Sequence, residues 1–446
     1  MTVNVIGAGL AGCECAYQIA TRGIKVNLYE MKPKKKTPAH KSEKFAELIC
    51  SNSLKASRVC SAAGMLKQEM RMLNSLLMQC ADKCRVPAGG ALAVDRDLFA
   101  NMVTEKIKEN ANINVIEEEV LEIPKDGITV IASGPLTSDA LAQNIEQTFG
   151  GSLSFFDAAA PIITGESVDF ESAFFASRYG KGDGDDYINC PLNKEEYELF
   201  WEELVNAQRA ELHNIDVQNP KVYEGCMPIE IMAQRGQDTI RFGPMKPVGL
   251  RDPKTGHRPW AVLQLRKENT EATLYNLVGF QTNLKFPEQK RVFGLIPALK
   301  NADYVRYGVM HRNTFIDSPR ILNADFSYRE NPNLFFAGQI TGVEGYMESG
   351  SSGLIAGINV ARYVLEQEKL AFPIECMCGS LSKYISDESV INFQPMGANV
   401  GILPSLEEVI RDKKLKAEKY AERSIETMKT FIEENNINVE GILWKL

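Results

Sequence analysis

Val3-Asn4-Val5-Ile6-Gly7-Ala8-Gly9-Leu10-Ala11-Gly12 opens the chain, and its reading decides the fold. A short apolar run enters a G-x-G-x-x-G turn. A helical pattern follows from Glu14 to Thr21, Arg22-Gly23 supplies a stop, and Ile24-Lys25-Val26-Asn27-Leu28-Tyr29 is a second strand ending in Glu30. Each part has a mechanical reason. Gly7 permits the tight turn, Gly9 lets backbone N–H groups approach a pyrophosphate, and Gly12 lets the helix pack on the strand. Ala8, Leu10 and Ala11 complete the loop, whose helix N-terminus favours phosphate. Glu30 stands 18 residues beyond Gly12, where an acid can bond ribose hydroxyls. Strand, glycine loop, helix, strand and acid in this order predict a dinucleotide-binding α/β unit.

Composition bounds the rest. The chain has 446 residues, 44% of them apolar and 24% charged, enough for two or three domains with large cores. Fifty Lys and Arg against 58 Asp and Glu leave a net charge of −8, so any nucleic-acid surface must be a local basic patch. No stretch approaches the roughly 18 uncharged apolar residues of a spanning helix, and a cytoplasmic location with no membrane or DNA partner is expected. Ten cysteines are too dilute for a disulfide scaffold, and none forms C-x-x-C. The four histidines lie far from the cysteine pairs, and no metal site is expected.

Two later segments point to flavin as the resident cofactor. Ile128-Thr129-Val130-Ile131-Ala132-Ser133-Gly134-Pro135 is a strand running into a small-residue turn, suited to pass beneath a bound dinucleotide at Gly134. Asn333-Leu334-Phe335-Phe336-Ala337-Gly338-Gln339 is a strand with a glycine stop, and a small-residue helix containing Gly353 and Gly357 follows. A strand, loop and helix returning so late are typical of FAD-binding flavoproteins whose fold is split by insertions. Between these halves, a polar loop, an amphipathic helix over Lys194–Glu211 and alternating strands read as an inserted α+β domain. The expected division is therefore a discontinuous FAD-binding Rossmann-like domain (1–168 and 284–404), an inserted α+β substrate domain (169–283) and a C-terminal helical segment (405–446). From Pro373 to Pro404 the chain reads as irregular, and the last helix as a packing or subunit element.

Several stretches resemble the folate- and FAD-dependent tRNA (uracil-5-)-methyltransferases, flavoproteins related in fold to glucose-inhibited division protein A. They are Ala46-Glu47-Leu48-Ile49-Cys50-Ser51-Asn52-Ser53-Leu54, Val86-Pro87-Ala88-Gly89-Gly90-Ala91-Leu92-Ala93-Val94-Asp95-Arg96, Gly225-Cys226-Met227-Pro228, Phe242 to Leu250, Tyr307 to Phe315 and Gly338 to Tyr346. The resemblance runs from Val3 to about Pro404. It implies reductive methylation of RNA to 5-methyluridine, with tRNA uridine 54 of the T-loop as the usual target. The one-carbon donor is 5,10-methylenetetrahydrofolate, and the reductant is FADH2 recharged by NAD(P)H.

That chemistry needs a thiolate to add to carbon 6 of uracil and a base to remove the carbon-5 proton. The resemblance places Cys50 and Cys226 in these roles. Cys226 is taken as the nucleophile and Cys50 as the thiol assisting proton removal, with the exchanged order left open. Ser51-Asn52-Ser53 after Cys50 reads as a helix N-terminus, where a thiol pKa falls. Gly338, Gln339, Glu344, Gly345, Tyr346 and Gly353 are expected around the flavin. Lys246 and Arg251 are candidates for phosphate or the folate tail, and His311 and Arg312 for flavin or RNA; a solvated edge and a structural histidine are the plainer readings. Gly294 stands where the family commonly has arginine, which removes one positive charge from the expected RNA contact. Methylation of ribosomal RNA, a flavin thiol oxidoreductase and a non-catalytic RNA-binding flavoprotein are the alternatives. The oxidoreductase is disfavoured by the missing C-x-x-C.

Overall fold

A computed structural model describes residues 1–37, 39–150, 153–210 and 227–437; side chains at 153–156, 311 and 312 are outside the description. The opening strand Thr2–Ile6 pairs in parallel with Lys25–Tyr29 on one side and Ile128–Ile131 on the other, setting Val5 against Leu28 and Val130. Ile113–Ile116 extends the first edge in parallel, and Asn331–Phe336 the second, with Phe335 against Val130. Ser327–Tyr328 closes that second edge in the antiparallel sense. Helices pack on this sheet, and its central strand Ile128–Ile131 is buried at all four residues. This is the split α/β dinucleotide-binding fold expected from the opening residues.

The two halves are joined through glycine. The helix Leu10–Ala20 lies against Tyr346–Val364, and a Cβ on Gly353 would stand 2.2 Å from the Ala11 carbonyl oxygen. One on Gly357 would stand 2.8 Å from that of Cys15. Only bare backbone permits this approach.

A second, antiparallel sheet has the strand order Phe174–Phe175, Tyr187–Leu192, Ala261–Lys267, Leu274–Leu277, Ile162–Thr164, Tyr304–Arg306. It carries its own core, built on Ile188, Phe200, Leu263, Leu265, Phe280 and Phe293. The amphipathic helix covers Lys194–Asn206 and opens with a capping box between Asn193 and Glu196. Because the sheet draws strands from Ile162 to Arg306, we propose insertion limits nearer these residues than 169 and 283. Strands Leu153–Ala158 and Met310–Phe315 pair antiparallel where the chain passes between the sheets.

The stretch after Pro373 is not wholly irregular: Met377–Ser386 is helical. Its glycine and serines give little propensity, but buried Glu69 accepts the Met377 and Cys378 N–H groups and the Ser424 hydroxyl. One distant carboxylate thus caps this helix and anchors the last one, Lys413–Glu434. The last helix is therefore a packing element of this chain, burying Tyr420, Ala421, Ser424, Met428 and Ile432.

Candidate active site

The fingerprint loop forms one wall of a cavity of about 1150 Å³, open solvent included. Gly7 has φ +100°, and a Cβ there would lie 2.7 Å from the Ala132 carbonyl oxygen. Gly12 is tighter still, its Cβ falling 1.7 Å from the Gly7 carbonyl oxygen. Gly9, the helix N-cap, has nothing within 4 Å of its Cβ position, so the space beside it is cavity. No side chain caps that helix, which leaves its first turn facing the pocket. The Glu30 carboxylate accepts the Ala8 N–H at 2.9 Å and the Lys32 N–H at 3.0 Å. It pins the glycine loop to the second strand while lining the pocket.

The opposite walls come from the other two segments. Ala132 to Ser138 line the cavity, with Gly134 at φ +72° and Thr137 donating to its carbonyl oxygen. Gly338 has φ +86° and donates its N–H to Ser352. Gln339, Tyr346 and Ser349 complete the lining from the later half. Asn313 lies on the wall almost fully buried, with neither amide atom hydrogen-bonded. An open glycine cradle, an uncapped helix N-terminus and an orphaned amide fit a dinucleotide carrying a polar ring at one end.

Cys50 stands at the Asn313 end. Tyr346 Oη accepts the Cys50 N–H at 2.8 Å and the Ser51 N–H at 3.2 Å, and lies 2.9 Å from Cys50 Sγ. With two donors already on its oxygen, the phenol has its own proton to offer the sulfur. Burial pushes the Cys50 thiol up to about 12, and the Asp157 carboxylate adds to this; Tyr346 and Arg96 act in the opposite direction. The expected helix N-terminus after Cys50 is absent. Ser53–Ala56 is a strand, because the Asn52 amide donates to the Val94 and Lys267 carbonyl oxygens and accepts from Arg266. Arg266 also donates to Ser51 Oγ, while Arg96 donates to the Leu48 and Ile49 carbonyl oxygens and is paired with Glu268.

Other expected residues fall behind or away from the wall. Glu344 accepts from Gln339, and burial, with Asp157 nearby, raises its carboxyl to about 8. Gly345 caps the following helix at φ +124°, and Gly353 packs on Ala11; the lining includes none of Gly12, Glu344, Gly345 and Gly353. Lys246 and Arg251 are exposed on the insertion and do not line the cavity; Arg251 donates to the Gly256 carbonyl oxygen and closes a local turn. Cys226 lies outside the described residues. So do the side chains of His311 and Arg312, whose backbones pair with Asp157 and Phe156.

Sequence reasoning missed Asp157, Asn313 and Arg96 as site residues. Asn313 and Arg96 lie inside two of the family-like stretches, but Asp157 sits in a strand with no local signal. Burial raises the thiols of Cys13, Cys15, Cys190, Cys376 and Cys378, as expected of small core residues. Among the described residues no cluster can hold a metal ion, and no helix is long and apolar enough to cross a membrane.

Comparison with known proteins bears on this arrangement. Residues 2–368 match the family model described as glucose inhibited division protein A. A protein of Acetivibrio thermocellus named methylenetetrahydrofolate--tRNA-(uracil-5-)-methyltransferase TrmFO is 60% identical over 96% of this chain and 98% of its own length. One of the same name from Natranaerobius thermophilus is 56% identical over 97% and 99%. The Aquifex aeolicus GidA structure superposes with a TM-score of 0.71 over 98% of this chain and 76% of that one, at 15% identity, a likeness of fold alone.

Proposed function

The chain belongs to the family of folate- and FAD-dependent tRNA (uracil-5-)-methyltransferases, and from that premise we propose that it forms 5-methyluridine at uridine 54 of the tRNA T-loop. FAD occupies the cavity, methylenetetrahydrofolate supplies the carbon, and NAD(P)H restores the reduced flavin. The work is done in the cytoplasm. The observation that carries the reading is Cys50, held against the Tyr346 hydroxyl at the end of a dinucleotide-shaped cavity.

Reduced FAD, when bound, supplies the hydride that turns a methylene carbon into methyl. The remaining chemistry belongs to the chain. The Cys226 thiolate adds to carbon 6 of uracil, and the charge placed on the ring makes carbon 5 the nucleophile toward the folate methylene carbon. Cys50 gives its thiol proton to the tetrahydrofolate nitrogen as the carbon–nitrogen bond breaks and, as the thiolate, takes the carbon-5 proton; the Cys226 thiolate leaves once the methyl group is formed. Tyr346 orients the Cys50 sulfur and donates to its anionic form. Burial, reinforced by the Asp157 carboxylate, holds the resting thiol protonated. In the cofactor site, Gly7, Gly9, Leu10 and Ala11 receive the pyrophosphate, Glu30 faces the ribose, and Asn313 and Gln339 meet the polar edge of the ring.

The test uses unmodified tRNA, methylenetetrahydrofolate labelled in the methylene carbon and NADPH, followed by digestion to nucleosides. Label in 5-methyluridine is expected, and in no product when uridine 54 is replaced by cytidine. Label absent from 5-methyluridine with wild-type tRNA overturns the reading.

A further inference from the structure

Arg306 ends the edge strand of the second sheet, and among the described residues its guanidinium finds no hydrogen-bond partner. Nε and Nη2 are shut off from solvent and make no hydrogen bond. The acids whose charge it feels are Glu47 and Glu268, and both are committed elsewhere. Glu47 is paired with Lys32 and accepts the Lys41 and Ser42 N–H groups, while Glu268 is paired with Arg96. Tyr346, the partner of Cys50, lies within the same field. A half-buried cation with two idle donors is costly, and an anion brought by a ligand would satisfy both.

The residues around it describe that ligand. The Tyr307 ring lies between two others: Phe286 at 4.6 Å and 14°, and Tyr304 at 5.1 Å and 6°. The outer ring, Phe286, is 50% exposed at the start of the helix Phe286–Phe293. Lys290 stands one turn further on the same face, and Lys285 immediately precedes it; both are exposed. A three-ring stack ending in an open aromatic face, with cations beside it and an unpaired arginine on the adjoining strand, is the equipment for one unpaired base and its phosphate.

Resting on the methyltransferase reading, we propose that Tyr304, Tyr307 and Phe286 form a stacking platform for an unpaired base of the RNA beside the target uridine, with Arg306 holding the adjoining phosphate. A chain of net charge −8 needs such a local site to retain a polyanion. Lys246 and Arg251, which are exposed on the insertion, are not required for it.

The test is equilibrium binding of unmodified, fluorescently labelled tRNA to the flavin-loaded protein across a salt series. Arg306→Gln should weaken binding roughly tenfold and reduce the slope of log K against log salt by about 0.7 to 0.9, the signature of one lost phosphate contact. Phe286→Ala should weaken binding about 5- to 100-fold with the slope unchanged, because stacking releases no counterion. Arg306→Lys should keep the slope and lose a few-fold in affinity, and it carries the test if the glutamine variant fails to retain flavin. Wild-type affinity and slope in Arg306→Gln overturn the proposal, as does wild-type binding by Phe286→Ala. A rise confined to the KM for methylenetetrahydrofolate overturns it too and assigns the cation to folate carboxylates. Wild-type protein that binds tRNA but places no label in 5-methyluridine overturns the methyltransferase reading alone; normal methylation with unaffected binding by both variants overturns the platform alone.

Discussion

The two ends of the cavity are built on opposite principles. At the glycine end, closeness of backbone does the work: Gly7 and Gly12 leave no room for a side chain, and both Glu30 oxygens are already hydrogen-bonded. At the cysteine end, polar groups are left unfinished. Asn313 has an unsatisfied amide, Cys50 holds its proton up to about 12, and Glu344 up to about 8. The first end selects by shape, its uncapped helix N-terminus turned toward the ligand. The second pays for its burial only when substrates arrive, as expected where chemistry is done.

Breaking the glycine end should have the largest effect. Gly12→Ala forces a Cβ into the Gly7 carbonyl and should cost at least about 3 kcal/mol, seen as a collapse of the thermal transition and loss of flavin. Gly9→Val adds bulk to open cavity instead, so the protein should fold and purify colourless. If both variants melt alike, the distinction between a packing glycine and a ligand-facing one fails.

At the other end, Cys50→Ala should lower turnover by about 10²- to 10⁴-fold while the protein stays yellow, as measured by label transfer to tRNA. Asn313→Ala should leave the flavin-free melting temperature unchanged or higher, because it removes an unsatisfied buried amide. The same change should weaken FAD binding by about tenfold, which a titration of flavin fluorescence would read.

How much of this was legible follows from how local each part is. The fingerprint, its helix and the acid lie within 28 residues, from Val3 to Glu30, and their geometry is dictated by glycine and strand pattern alone. The environment of Cys50 is not local, since Tyr346 is 296 residues away and reaches the thiol only because the first helix packs against the helix Tyr346–Val364. Ser51-Asn52-Ser53 has the composition of a helix cap, but Arg266 and two distant carbonyl oxygens claim Asn52 and draw the segment into a strand. The helix Met377–Ser386 was hidden for a similar reason, its cap being supplied by Glu69 from another element. Lys246 and Arg251 show the limit of charge as a signal, since the same residues read as a ligand contact or a solvated edge, and the fold leaves them exposed and off the cavity wall.

The smallest effect expected is on the Cys50 proton. Asp157→Asn removes a charge that disfavours the thiolate, so the Cys50 pKa should fall from about 12 toward the ordinary thiol range. At a fixed pH below the pKa, alkylation should then quicken by somewhat less than tenfold for each unit of that fall, since a less basic thiolate is also less nucleophilic. Tyr346→Phe should act in reverse and slow it. Equal alkylation profiles in all three proteins would separate Asp157 and Tyr346 from the thiol's chemistry.

The division of labour between the two cysteines is tested most directly by trapping. With 5-fluorouridine in the RNA, fluorine at carbon 5 cannot leave as a cation, so a protein that adds a thiolate to carbon 6 and transfers the carbon accumulates a covalent complex visible on a denaturing gel. The expected result is a complex with wild type, none with Cys226→Ala, and a complex retained by Cys50→Ala although its turnover is lost. A complex formed by Cys226→Ala and missing from Cys50→Ala would contradict the account, making Cys50 the nucleophile rather than the thiol that removes the proton.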